Sequence, residues 1–104
     1  MPVEVVWSNL ARDELFDIDV TIGLDNPAAA ERIDDRIEQR ALQLADQPRM
    51  GSRRPDIRPA TRVLVEAPYL ILYETVPDTD DGPVTRVEAI TVVDGRRDLS
   101  AQQF

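Results

Sequence analysis

The side chains available for chemistry are defined first by what is missing. The chain has no cysteine, so disulfides, thiolate metal sites and cysteine nucleophiles are excluded together. It has no histidine, the residue whose unperturbed pKa lies nearest neutrality, so no histidine-based triad, metal site or acid/base pair can be built. All 12 basic residues are arginine. That removes Schiff-base and phosphate-loop lysines, although a G+C-rich genome would leave the same bias. Arginine, carboxylates and two tyrosines remain. Arginine presents a planar fork of donors to carboxylates or phosphates, but it hardly deprotonates and makes a poor base.

The arginines are unevenly placed. The net charge is −8, yet residues 49–62 carry Arg49, Arg53, Arg54, Arg58 and Arg62 against Asp56 alone. Two readings stand side by side. Arg53, Arg54 and Arg58 neutralise acids of the strongly negative N-terminal half, or simply sit in solvent. Alternatively they join Arg62, Arg86, Arg96 and Arg97 in offering donors to a partner's carboxylates, a use of arginine common at the energetic centres of interfaces. Asp78, Asp80 and Asp81 lack the spacing and terminal glutamate of a calcium loop and read as a solvated turn. No metal or cofactor is expected. The negative charge repels nucleic acid at long range and favours a partner bearing basic residues.

Periodicity predicts the elements that carry these groups. Val3, Val5 and Trp7 alternate with polar or opposite-facing positions, as in a short strand. Ser8 is a plausible N-cap. Trp7, Ala11, Leu15, Ile18 and Ile22 then recur at helical spacing, and Gly23 is placed to stop the helix. Asn26-Pro27 is a second start signal, a cap followed by proline at the first helical position. Ala30, Ile33, Ile37, Ala41 and Leu44 continue as a helix of about 20 residues, ended by Pro48. The short link between the helices predicts an antiparallel hairpin.

Residues 48–60, with Pro48, Gly51, Pro55 and Pro59, read as irregular. Three strands follow: Thr61 to Glu66, Tyr69 to Val76 and Val84 to Val93. The second is almost continuously apolar and therefore central. Ala67-Pro68 links the first pair, and the acidic loop Pro77 to Pro83 links the second. The fold class is α+β with the order β-α-α-β-β-β. The N-terminal helical hairpin packs on one face of an antiparallel four-stranded sheet, to which the first strand must return.

The 104 residues suit a single domain, 1–104. No apolar run approaches the ~20 residues that span a bilayer. The start, Met1-Pro2-Val3-Glu4, has neither a basic nor an apolar leader region, which predicts a cytoplasmic protein without membrane attachment.

Several motifs are similar to a known family. They are Trp7-x3-Ala11-x3-Leu15-x2-Ile18-x3-Ile22, Asn26-Pro27-x-Ala29-Ala30-x-Arg32-Ile33 and Leu44-x3-Pro48-x2-Gly51. Arg54-Pro55-x2-Arg58, Tyr69-Leu70-Ile71-Leu72-Tyr73-Glu74 and Val93-Asp94-Gly95-Arg96-Arg97-Asp98-Leu99 follow in order. Across nearly the whole chain they resemble the ParE branch of the RelE/ParE toxins. Two features depart from that pattern: Asp94 stands where members commonly carry histidine, and many members are more basic.

The resemblance implies the toxin of a type II toxin–antitoxin pair, acting by protein binding. It implies a ParD-like antitoxin, whose C-terminal segment would wrap the hairpin and sheet, and DNA gyrase as target. The alternative from the RelE side is a ribosome-dependent mRNA endonuclease. There Arg62, Arg86, Arg96 and Arg97 would supply charge, with Tyr69, Tyr73, Glu66, Glu74 or Glu88 moving protons. Against this, Tyr73 reads as a packed aromatic and the glutamates as a solvated strand face. A third reading is a non-toxic member that survives as an interaction partner.

Overall fold

A computed structural model describes residues 3–96. Strand β1 (Glu4–Trp7) leads into helix α1 (Asn9–Gly23), and α2 (Pro27–Leu42) follows after three residues. Strands β2 (Ser52–Arg53), β3 (Arg62–Glu66), β4 (Tyr69–Val76) and β5 (Arg86–Asp94) complete a five-stranded sheet in the order β1-β5-β4-β3-β2.

Both predicted caps form. The Ser8 hydroxyl accepts from Ala11 N at 3.0 Å and donates to the Ile90 carbonyl at 2.6 Å, tying the start of α1 to β5. Asn26 accepts from Ala29 N at 3.1 Å, with Pro27 at the first helical position. Gly23 closes α1 as expected, without taking a left-handed backbone. Helix α2 is shorter than its periodicity implies: it ends at Leu42, and a 3-10 turn, Gln43–Ala45, takes over. The tighter turn seats Leu44 in full burial.

Helix α1 packs on β5 and α2 on β3. Beneath them lie Ala11, Leu15, Ile37, Ala41, Leu44, Leu64, Ile71, Tyr73, Val87, Ala89 and Val92. The other sheet face holds a smaller cluster, Val63, Leu72 and Val93, partly covered by Ile57 of the 54–61 segment. β4 sits mid-sheet, as its apolar run predicts.

The sheet differs from the expected one in two ways. Ser52 and Arg53 add a fifth strand against Val63 and Arg62, too short to leave a period in the sequence. The returning first strand runs parallel to β5, pairing Glu4 with Arg86 and Trp7 with Ala89. Strand direction follows the number of chain reversals, not residue type. With one strand uncounted, one reversal was uncounted too.

The helical hairpin concentrates negative charge. Asp19 of α1 faces Asp34 and Glu38 of α2 in a groove also lined by Trp7, Arg12, Leu15 and Phe16. One carboxylate oxygen of Asp19 and one of Asp34 are buried without a donor. Burial first, then Asp34 and Glu38, push Asp19 up to about 6 from 3.8. The folded state therefore holds a proton that the unfolded chain releases. This contribution is fully present below about pH 4 and is lost as the pH rises to about 6. Asp19→Asn is expected to melt higher than wild type at about pH 7.5, with the gap closing towards pH 4. Thermal melts followed by circular dichroism test this, and equal midpoints at the higher pH contradict it.

Candidate functional site

The geometry of the arginine-rich segment starts from β4. Tyr73 is fully buried, as the packed-aromatic reading has it, and its hydroxyl accepts the Gly51 N–H at 2.9 Å. Burial raises its pKa, opposed by that hydrogen bond and by the positive charge of Arg62. Arg62 lies opposite Tyr73 in the β3–β4 register. Only 7 % of Arg62 is exposed. One terminal nitrogen donates to the Gly51 carbonyl at 3.1 Å and more distantly to the Arg49 carbonyl at 3.5 Å. Its Nε is buried without a partner. Gly51 is glycine for steric reasons. A Cβ there would stand 2.6 Å from the Val63 carbonyl oxygen and 2.8 Å from the Tyr73 ring.

The loop Pro77–Pro83 lies over this node. Arg49 donates to the carbonyls of Thr79, Asp81 and Gly82 and to the Thr79 hydroxyl, at 2.8 to 3.1 Å. Arg53 reaches Asp80 at 2.9 Å and Asp78 at 3.0 Å. The second terminal nitrogen of Arg62 stands 3.5 Å from the same Asp80 oxygen. The hydrogen bonds that Arg53 donates to Asp80 and Asp78 hold it above its ordinary pKa. The loop is thus a turn, as expected, but two of its acids are ion-paired. Arg49, counted only as part of the charge reversal, proves to be its main backbone anchor.

The remaining candidates lie elsewhere. Arg54 pairs with Asp56 at 2.7 Å, raising its own pKa and lowering that of Asp56. On the sheet face away from the helices, Arg58 approaches Glu74 at 3.6 Å and Arg86 pairs with Glu88 at 2.8 Å. Glu74 and Glu88 are themselves register partners, so two arginines flank two acids. Arg96 pairs with Asp94, which raises the arginine's pKa. It lies beyond the opposite end of β5 from Arg86, about 30 Å of extended chain away. Arg97 lies outside the described residues.

One expectation is corrected: Arg53, Arg54 and Arg58 do not neutralise the helical hairpin. Their partners are Asp78, Asp80, Asp56 and Glu74. The 48–60 segment runs beside the Pro77–Pro83 loop and β4, and pairing between segments so far apart leaves no trace in local sequence. Among the described residues, no group of acids could hold a metal ion, and no helix is long and apolar enough to cross a membrane.

A second surface lies on α1. Phe16 is 65 % exposed, and Val20 and Leu24 continue its line every four residues. It adjoins the acidic groove that holds Asp19, Asp34 and Glu38.

Residues 5–99 match the family model described as ParE toxin of type II toxin-antitoxin system, parDE. A solved chain of the chromosomal ParDE TA system from P. aeruginosa is similar in fold, with a TM-score of 0.70 at 18 % identity. The alignment covers 88 % of this chain and 95 % of that one. No curated protein matches the sequence.

Tyr73→Phe is expected to lower unfolding free energy by about 1–3 kcal/mol, because it strands the buried Gly51 amide. Urea unfolding measures this. Stability equal to wild type would mean that the hydroxyl is dispensable to the node.

Proposed function

The chain belongs to the ParE toxin family of type II toxin–antitoxin systems, and from that premise we propose that it acts by gripping other proteins, not by cutting RNA. The observation that carries this reading is the state of Tyr73. It is the tyrosine beside Arg62, and its hydroxyl is sealed in the core and occupied by Gly51. A guanidinium whose neighbouring tyrosine hydroxyl is already buried and engaged suits binding better than phosphodiester cleavage. The net charge of −8 weighs the same way, since it opposes approach to an RNA backbone.

Two partners follow from the family. One is a ParD-like antitoxin whose C-terminal segment folds on binding and wraps the hairpin and sheet. The exposed line of Phe16, Val20 and Leu24 supports the hairpin as its apolar contact. The other is DNA gyrase, approached through the arginines Arg53, Arg54, Arg58, Arg62, Arg86, Arg96 and Arg97. Such a protein works in the cytoplasm, where both partners are found.

Purified protein is expected to inhibit supercoiling by gyrase at micromolar concentration, and unaffected gyrase removes that target. Expression without antitoxin is expected to arrest growth with transcripts intact. Transcript cleavage would replace this reading with the endonuclease, and normal growth with the non-toxic one. Phe16→Glu is expected to weaken antitoxin binding by about tenfold or more while leaving gyrase inhibition in place. Calorimetry with the antitoxin reads the first effect and the supercoiling assay the second.

A further inference from the structure

Arg62 is an incompletely satisfied buried cation. Its side chain is 8 % exposed. One terminal nitrogen is held by backbone carbonyls, Nε has no partner, and the other terminal nitrogen has only a long contact to Asp80. A guanidinium in such a place gains most from a carboxylate that approaches closely and engages more than one N–H. Asp80 cannot do this well. It is tethered to the loop, its side chain is 82 % exposed, and a single oxygen is shared between Arg53 at 2.9 Å and Arg62 at 3.5 Å. The other Asp80 oxygen makes no hydrogen bond to either arginine.

The loop itself does not depend on that carboxylate. Arg49 holds it through three backbone carbonyls and the Thr79 hydroxyl, none of which involves Asp80. The Asp80 side chain can therefore leave while the loop stays anchored. An exposed ion pair is also weak, worth about 1 kcal/mol or less, so an incoming carboxylate competes on favourable terms.

We infer that Arg53 and Arg62 form a carboxylate-binding site that the chain fills with its own Asp80, and that an acidic segment of a protein partner takes Asp80's place. The acidic loop is then a built-in competitor that sets how acidic a partner must be. A phosphate polymer fits less well, because two arginines in a chain of net charge −8 offer too few cations to track a nucleic-acid backbone, whereas they suffice for one or two carboxylates of a peptide. This inference rests on the reading of these arginines as a partner-binding surface, but its test needs neither gyrase nor antitoxin.

The probe is an acetylated, amidated hexaglutamate peptide, titrated at low salt while the Arg Nε–H signals are followed by NMR. The double variant Asp78→Asn, Asp80→Asn is expected to bind it about fivefold or more tightly than wild type, through the loss of the weak competing pairs that Asp78 and Asp80 make with these arginines. Arg53→Ala, at a partly exposed position outside the buried node, is expected to abolish the gain. A control carrying Asp13→Asn and Asp17→Asn on the exposed face of α1 has the same net charge and is expected to gain nothing. Equal binding by wild type and the loop variant overturns the site. So does a gain that survives Arg53→Ala or appears in the control, or tighter binding of a thymidine hexanucleotide than of the peptide. Failure to inhibit gyrase would remove the proposed target and leave this result standing.

Discussion

The arrangement around Gly51 is the constraint on which the arginine-rich end of the molecule depends. Tyr73 reaches from the middle strand to take the Gly51 amide proton, and Arg62 from the adjacent strand donates to the Gly51 carbonyl. Both backbone groups of one residue are thus satisfied by buried side chains, as polar groups in a core must be. Only glycine can be there, because the Val63 carbonyl and the Tyr73 ring occupy the space of a Cβ. The connection from α2 to β3 is pinned at this point. Arg49 and Arg53, two residues on either side, are thereby aimed at the loop between β4 and β5.

That pinning explains how an acidic protein presents arginines in a concentrated group. The hairpin keeps its acids on its own helices, where burial, and after it the crowding by Asp34 and Glu38, raises Asp19 to about 6. Arg12, Arg32, Arg36 and Arg40 lie on those helices too, but the arginines from Arg49 to Arg86 line the connection and the sheet. Each of the candidates from Arg53 to Arg96 has an acidic partner nearby, so none projects as a bare charge. The pairs are unequal, however. Arg54–Asp56 and Arg86–Glu88 are short exposed pairs between near neighbours in sequence, and such pairs contribute little. Arg62 is buried and reached only from a distance. Position in the fold, more than residue type, separates arginines that are merely solvated from one that wants a better partner.

Much of the fold was legible because local signals agreed. Ser8 and Asn26-Pro27 marked both helix starts, the apolar run at 69–76 marked the central strand, and the β-branched run at 84–93 marked the strand after it. The misses share a cause. The strand at Ser52 and Arg53 exists only through its pairing with β3, and the parallel return of β1 follows from chain path. The ion pairs of Arg53 and Arg62 join residues 18 to 27 positions apart. None of these leaves a short-range pattern. The sequence named Arg53 and Arg62 as candidates, but it could not show that they share Asp80, or that Arg86 and Arg96 stand at opposite ends of a strand.

The separation of the two surfaces bears on how one small chain would serve two partners. The apolar line of Phe16, Val20 and Leu24 lies on α1, which packs over β5. The Arg53–Arg62 pair lies at the β2–β3 edge, on the far side of the sheet order. An antitoxin held by apolar contact on the hairpin would not by that contact alone reach the arginines. On the proposed reading, neutralisation then requires either a long wrapping segment or competition at the arginines themselves. A folded globular inhibitor seated on α1 satisfies neither. A segment that is extended when free and orders on binding satisfies both, at the entropic cost such segments carry. The spacing of the two surfaces thus argues for a partner of that kind.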